Sequence, residues 1–246
     1  MLYLGIPLHQ EPLMNSFLAL FLTFVASILW LRIMDFAAHH GWVESRMSRK
    51  IIHIGTGPIF VLCWLLFPGQ WYDRYLAALV PGLITLQFAL IGLGLVKDEA
   101  SVKAMSRSGD PREILRGPLY YGLMFVLLTL VFWRETPVGM VALMMLCGGD
   151  GIADIIGRRF NSSRLPHSPD KSVAGSLGVF FGGWILSALV LAVYTAAGYF
   201  SAPFSTTLLP LTLIALVSTL IESLPQRDVD NVTVTLAAAL LGWFLF

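Results

Sequence analysis

The chain has 246 residues, of which 57% are hydrophobic and only 13% are charged. Soluble domains are about 45–50% apolar and about 25% charged, so this composition excludes a soluble enzyme, a disordered chain and a disulfide-stapled secreted domain. The 16 Lys and Arg residues nearly balance the 15 Asp and Glu residues. The net charge therefore provides no overall field that would recruit nucleic acid. A polytopic membrane protein remains.

Eight apolar segments are candidates for membrane spans, because a spanning helix needs about 20 mostly apolar residues. No internal repeat or low-complexity linker divides them, so we expect a single integral-membrane domain over residues 1–246. The first residues lack a basic segment and a cleavage site. We therefore expect no signal peptide, and either direct insertion from a prokaryotic-type cytoplasm or earlier removal of a targeting segment. The eighth segment is short, so the predicted fold is an all-α bundle of seven to eight spans, at residues 13–31, 51–67, 75–96, 118–133, 137–156, 173–193, 206–224 and 232–246.

The basic residues fall in alternate connections between the spans. Successive loops contain 4, 1, 5, 1, 4, 0 and 1 Lys or Arg residues. By the positive-inside rule, the first, third and fifth loops are cytoplasmic, the seventh joins them by counting, and both termini lie outside. Most other ionisable residues fall at the same face. A transporter would be expected to carry such groups near the midplane, so this distribution favours an enzyme that joins a soluble reactant to a lipid.

The densest polar stretch contains Asp150 and Asp154, which lie four residues apart and therefore share one face of a helix. Two carboxylates at a membrane edge repel each other unless a positive group lies between them. Mg²⁺ is one such group, because it takes one or two carboxylates together with phosphate oxygens and waters. The neighbouring Gly149 and Gly151 favour a nucleotide site. The alternative is structural, with Asp154 paired to Arg158 and Asp150 capping a loop.

A second candidate is Lys171, which precedes the sixth span and is followed by small residues in the first helical turns. Backbone N–H groups at a helix N-terminus and the helix dipole favour anions, so Lys171 with Ser172, Gly175 and Ser176 could hold phosphate. The spacing is not that of a Walker A loop. The alternative is positive-inside charge followed by an ordinary capped helix.

Other polar residues at this face have two interpretations each. Lys50 and His53 share a helical face before the second span, where His53 could handle a proton or simply be a hydrogen-bonded polar residue. Glu113 and Arg116 could join the site or form a local salt bridge at a helix start.

The last cytoplasmic loop is flanked by further candidates. Glu222 lies within an apolar run, where a carboxylate is costly without a partner. Asp230 and Asn231 could join the site or cap the last helix.

Together these segments resemble the phytol kinase family, within the broader group of polyprenol, farnesol and dolichol kinases. The string Gly-Asp-Gly-x-Ala-Asp-x-x-Gly-Arg-Arg-Phe, followed by Lys-Ser-x-x-Gly-Ser, is specific for the broader group. The middle segment favours the phytol and farnesol branch. The resemblance extends roughly from Ser48 to the C-terminus and rests on residues 49–53, 107–121, 132–139, 148–160, 165–176 and 222–225.

The resemblance implies phosphorylation of a long-chain isoprenoid alcohol, above all phytol, by CTP or another nucleoside triphosphate with Mg²⁺. Family members return chlorophyll-derived phytol to tocopherol synthesis, so we expect a cyanobacterial-type or plastid membrane. Asp150 and Asp154 would bind Mg²⁺ and position the triphosphate, and one of them or Glu222 would accept the hydroxyl proton. The remaining roles are phosphate binding by Lys171, Ser172 and Ser176, added positive charge from Arg158, Arg159 and Lys50, and support of the site by His53.

Two rival functions remain open. A CTP-dependent cytidylyltransferase acting on a phospholipid would also need paired acids and basic residues at a membrane face. It would release pyrophosphate, whereas a kinase using CTP would release CDP. A non-catalytic transporter or scaffold is the other alternative, and the nearly charge-free middle of the spans argues against it.

Overall fold

The computed structural model describes residues 14–106, 108–226 and 229–246. The N-terminal segment, the start of the first predicted span at Leu13, Arg107 in the third loop, and residues 227–228 in the last loop lie outside the described residues. The predicted all-α membrane fold is confirmed. Within the described residues, seven helices are long and apolar enough to cross a membrane, and an eighth apolar helix, Asp230–Leu245, is shorter.

The helices follow the predicted order along the chain. Short 3₁₀ turns at Trp64–Leu66, Pro111–Leu115 and Phe204–Thr207 extend three of the spans. One span, Pro137–Arg159, has a π-helical turn at Met145–Gly149 in its middle. The α-helices are α1 Ser16–His39, α2 Ser45–Cys63, α3 Asp73–Gly92, α4 Glu99–Met105, α5 Gly117–Phe132, α6 Pro137–Met144, α7 Asp150–Arg159, α8 Val173–Ala196, α9 Leu208–Glu222 and α10 Asp230–Leu245.

Side-chain caps begin the long helices α1 and α8, whereas α10 begins differently. The Asn15 side chain accepts a hydrogen bond from the Leu18 N–H at 2.8 Å and caps α1. Ser172 caps α8 in the same way, accepting from the Gly175 N–H at 3.2 Å. At α10, Val229 occupies the cap position and no side chain among the described residues makes a capping hydrogen bond, so the alternative in which Asp230 or Asn231 caps the helix is not borne out.

A small β-hairpin, which the sequence did not predict, lies between α7 and α8. Strand β1 (Arg164–Leu165) pairs antiparallel with β2 (Ser168–Ser172). It carries Lys171 directly to the start of α8.

The centre of the bundle is the helix that runs from α6 through the π-helical turn. Residues Met140–Cys147 are at most 2% exposed. Glycines allow this helix to approach α8 closely, because a Cβ on Gly182 would lie 2.5 Å from the Gly148 carbonyl oxygen. Outer helices present large apolar side chains such as Phe17 and Phe181 to the surroundings, which suits contact with lipid.

Ion pairs and hydrogen bonds cluster at the two ends of the bundle. We call the end at which α2, α5, α8 and α10 begin the site end. At the opposite end, Arg74 pairs with Glu135. The guanidinium of Arg134 is buried there, donating to the Trp64 carbonyl at 2.6 Å and to the Tyr199 hydroxyl at 3.0 Å.

Candidate active site

A cavity of about 820 Å³ opens at the site end, between α1, α2, α3, α5 and α7. Ligand sites in proteins typically measure about 300–1,000 Å³, so this cavity can hold a small molecule. We call it the large cavity. Its mouth is ionic and its deeper part is mostly apolar. The charged, imidazole and amide lining comprises Arg49, Lys50, His53, Glu113, Arg116, Asp150, Asp154, Arg158 and Asn231, the apolar lining includes Ile59, Phe60, Val80, Pro81, Ile84, Phe88 and Phe125, and Ser27, Thr56, Thr85 and Tyr121 add hydroxyl groups.

Asp150 lies where the ionic part of the large cavity meets the apolar part. Lys50 Nζ donates to Asp150 Oδ2 at 3.2 Å, although the two residues are 100 positions apart. His53 Nε2 lies 3.5 Å from the same oxygen and 3.3 Å from the Leu146 carbonyl oxygen. The tautomer with a proton on Nε2 allows this nitrogen to donate to the Leu146 carbonyl. Asp150 thus lies within ion-pair distance of two side chains on α2.

Asp154 lies one turn further along α7 and lines the same cavity. Arg158 Nε donates to Asp154 Oδ1 at 2.7 Å, which is the local pair that the spacing offered as the structural alternative. The Arg158 side chain is 59% exposed. An exposed pair at this spacing contributes only about 0.3–0.5 kcal/mol, so little free energy opposes an exchange of this partner for a ligand. Arg159, at the end of the same helix, is exposed.

Tyr121 is a cavity residue that sequence reasoning did not single out. Its hydroxyl donates to the His53 carbonyl oxygen at 3.0 Å and lies 3.1 Å from Cys147 Sγ. Its ring packs against the His53 ring, with centroids 4.3 Å apart. Tyr121 therefore holds the His53 segment in place just below the ionic mouth. The sequence feature that could have indicated Tyr121 is a polar hydroxyl near the start of an apolar helix, four residues after Gly117.

The rim of the cavity mouth is built by contacts between distant segments. Arg49 Nη1 donates to the Ser106 carbonyl oxygen at 2.9 Å. Glu113 accepts from the Ser108 N–H and hydroxyl at 3.1 and 3.0 Å. Asn231 Nδ2 donates to the Gly117 carbonyl oxygen at 3.4 Å, which joins α10 to α5. Arg116 lines the mouth beside them.

Lys171 and Glu222 form a second cluster outside the large cavity. Lys171 Nζ donates to Glu222 Oε1 at 2.9 Å and also to the Glu222 main-chain carbonyl. Both side chains are mostly buried, at 18% and 14% exposed. The pair fastens the hairpin to the end of α9 and gives Glu222 the partner that its apolar setting requires.

Asp150 connects the ionic lining of the large cavity with the Lys171–Glu222 cluster. It lines the large cavity and also a second pocket, together with Glu222, Asp230 and Asn231. That pocket measures only about 10 Å³, barely the volume of one water molecule. Among the residues that the structure describes, Lys171 and Glu222 do not line the large cavity. They adjoin the site through α7.

The glycines predicted for nucleotide contact lie against neighbouring helices. A Cβ on Gly151 would lie 2.3 Å from Ile54, and one on Gly149 would lie 3.2 Å from Val179. Gly175 packs against the backbone of α7, and the Ser172 hydroxyl caps α8. The Ser176 hydroxyl is buried without a hydrogen-bond partner. Close helix packing thus accounts for these glycines in this arrangement.

The donor set suits a cation that shares its ligands with phosphate. Within the described parts of the chain, no three His, Cys, Asp or Glu side chains group closely enough to hold a metal ion by themselves. Asp150 and Asp154 line one cavity and supply hard carboxylate oxygens. Mg²⁺ is commonly bound through one or two carboxylates plus substrate phosphates, so these residues fit it when a nucleotide is present.

Comparison with known proteins gives a consistent set of relatives. "Probable phytol kinase, chloroplastic" from Zea mays is 42% identical over 217 residues, covering 87% of this chain and 72% of the relative. "Phytol kinase 1, chloroplastic" from Arabidopsis thaliana is 41% identical over 206 residues, covering 83% and 68%. "Farnesol kinase, chloroplastic" from the same plant is 40% identical over 208 residues, covering 84% and 67%. No family model and no solved structure matches the chain.

Proposed function

Because the chain belongs to the phytol kinase family, we propose that it phosphorylates a long-chain isoprenoid alcohol, with phytol as the first substrate and CTP as the donor. Its relatives are named phytol and farnesol kinases. That supports an isoprenoid alcohol as acceptor. They are also named chloroplastic, which supports a plastid membrane. The donor nucleotide, the cytoplasmic side of the site and a role in tocopherol salvage are parts of the proposal.

The observation that carries the proposal is the division of the large cavity into an ionic mouth and an apolar depth. An isoprenoid alcohol has the same division, with one hydroxyl on a long hydrocarbon chain. With its tail among α2, α3 and α5, its hydroxyl would lie level with Asp150. The triphosphate would then approach from the site end, among the basic residues of the mouth.

The reaction needs little covalent chemistry from the protein, because phosphoryl transfer depends mainly on positioning and charge neutralisation. The alcohol oxygen attacks the terminal phosphorus, the bond to the bridging oxygen breaks, and a nucleoside diphosphate leaves. Asp150 would accept the hydroxyl proton, because it lies at the boundary where the hydroxyl would sit. Lys50, Arg158 and Arg116 would balance phosphate charge.

Asp154, with Asp150, would hold Mg²⁺ against the triphosphate. When bound, the ion would neutralise negative charge on the phosphate oxygens. His53 would orient Asp150 by donating to it. Glu222 is the weaker candidate for the proton acceptor, because its carboxylate is already bound to Lys171.

Lys171, Ser172 and Ser176 would hold the outer part of the nucleotide only after Lys171 exchanges Glu222 for phosphate. Arg159, which is exposed beyond the mouth, would attract the nucleotide rather than bind it closely. These roles rank below those of the residues that line the large cavity.

One assay tests the proposal against its rivals. Purified protein in detergent is offered phytol, farnesol, dolichol and diacylglycerol, each with labelled CTP, UTP and ATP, and a phosphatidic acid arm tests for a cytidylyltransferase. We expect an isoprenyl monophosphate together with CDP. Release of pyrophosphate with phosphatidic acid would establish the cytidylyltransferase instead. Absence of turnover with every alcohol would refute the kinase.

A further inference from the structure

We propose that Phe60, Val80 and Phe125 form a floor that sets the longest isoprenoid chain the large cavity accepts. This inference rests on the proposed kinase function and adds the residues that determine its substrate length. The three side chains are at most 2% exposed, and they line the deep part of the cavity from three helices. The name floor is used below for these three residues.

The direction of the helices places the floor at the bottom of the cavity. Helices α2 and α5 begin at the site end and α3 ends there, so depth increases from Lys50 to Phe60 along α2. Ten residues of α-helix span about 15 Å, which is the distance available to a chain below the ionic mouth. Among the described lining residues of α2, α3 and α5, none lies further from the mouth than the floor.

Contacts between aromatic rings make the floor rigid. The ring centroids of Phe60 and Phe125 are 5.7 Å apart, and Phe125 also packs against Tyr121 at 4.8 Å. Below them, Trp64 packs edge-on to Phe60 at 5.8 Å and against Trp133 at 4.8 Å. A hydrocarbon chain that is longer than the cavity would have to displace this stack.

The region beneath the floor is held by hydrogen bonds as well as by packing. The Tyr194 hydroxyl donates to the Val61 carbonyl oxygen at 2.6 Å, and Arg134 donates to the Trp64 carbonyl oxygen. These bonds fix the half of the bundle that a longer chain would need to enter. We therefore expect a farnesyl chain, or a phytyl chain that bends within the cavity, to be accepted and much longer polyprenols to be excluded.

Removing a floor ring should change the length preference, and the measurement is kcat/KM for farnesol, phytol and geranylfarnesol, whose chain is one isoprene unit longer than phytol's. In Phe125→Ala, the ratio of geranylfarnesol to phytol should rise at least about tenfold, because loss of the ring frees space for part of an extra isoprene unit and a change of one methylene in an apolar pocket already alters selectivity by that order. Phe125→Leu should shift the ratio in the same direction by less.

A second variant should shift the length preference in the opposite direction, so the inference can still be tested if Phe125→Ala does not fold. Ile84 is half-buried and lines the middle of the cavity, so Ile84→Phe should lower kcat/KM for phytol more than for farnesol. The matched control is Phe67→Leu, since Phe67 is equally buried and packs on Trp133, away from the cavity lining. It should leave both ratios unchanged.

The outcomes separate this inference from the proposed function. If the wild-type protein phosphorylates none of the three alcohols, the proposed function fails, and the inference fails with it. If it turns over farnesol or phytol but the substitutions at Phe125 and Ile84 leave the ratios unchanged, or Phe67→Leu shifts them equally, the floor is refuted and the kinase stands. Opposite shifts at Phe125 and Ile84 would establish the floor.

Discussion

Replacement of Asp150 by asparagine removes one negative charge from the centre of the proposed site while keeping the shape of the side chain. We expect phosphorylation of phytol to fall at least about 10²-fold, equivalent to about 2.7 kcal/mol of transition-state stabilisation. Asp154→Asn should act in the same way, and the double variant should lose much less than the sum, because the two carboxylates would act on one cation and one triphosphate.

The magnitude follows from the position of Asp150. Its carboxylate lies 3.2 Å from Lys50 Nζ and is 39% exposed. At that distance two unit charges attract by about 5 kcal/mol at an effective dielectric constant of about 20, and by about 1 kcal/mol in water. The partly exposed pair lies between these limits. A loss of about 2.7 kcal/mol therefore lies within the range that one charge at this position can supply.

Restoration of activity in a charge-balanced double variant would show that Asp150 only neutralises Lys50. If Asp150 only balances Lys50, adding Lys50→Met to Asp150→Asn should restore activity. We expect no restoration. The control is Glu135→Gln, which removes a carboxylate from the Arg74 pair at the opposite end and should leave activity within about twofold.

The assay measures phytol phosphate formation against Mg²⁺ concentration, for variants that elute from detergent chromatography like the wild type. Folding should survive, because an amide is easier to keep near lipid than a carboxylate. Full activity of Asp150→Asn at ordinary Mg²⁺ would refute the proposed site. A loss confined to Asp150→Asn would reduce Asp154 to the partner of Arg158.

Three further predictions concern the nucleotide, the packing and the topology. Lys171→Ala should raise the KM for nucleotide more than Arg164→Ala, because Arg164 is an exposed hairpin residue; equal small effects would leave Lys171 a purely structural role. Gly182→Ala should lower the free energy of unfolding by about 1–3 kcal/mol in thermal unfolding, since its Cβ would meet the Gly148 carbonyl oxygen, whereas Gly82→Ala, with 3.9 Å to its nearest neighbour, should not. Single cysteines are labelled from outside to test the topology, and we expect labelling at Gln70 and Ser201 and none at Ser108 and Ser163.

The sequence was sufficient for features that depend on local pattern. Long apolar runs predicted seven spans and a shorter eighth, and the structure confirms the fold class. The Asp154–Arg158 pair was also foreseeable, because residues four apart in a helix are neighbours. The hairpin was missed because the strand Ser168–Ser172 shows no alternation of apolar and polar residues.

Contacts between helices that are distant along the chain could not be predicted from the sequence. Nothing in the spacing indicates that Lys50 meets Asp150 or that Lys171 binds Glu222, because both contacts depend on how the helices pack. The glycines near Asp150 fit two explanations, a ligand site or close packing, and only the position of Ile54 beside Gly151 reveals the packing.

The π-helical turn at Met145–Gly149 governs how this protein can tolerate changes in chain length. In a regular α-helix, one inserted or deleted residue turns everything after it by about 100°, whereas a π-helical turn absorbs an extra residue locally. Deletion of one residue within Met145–Gly149 would therefore give a regular helix that still presents Asp150 and Asp154 to the cavity. Deletion between the two aspartates would turn Asp154 away, so of these two deletions only the one within the π-helical turn is compatible with the ionic site.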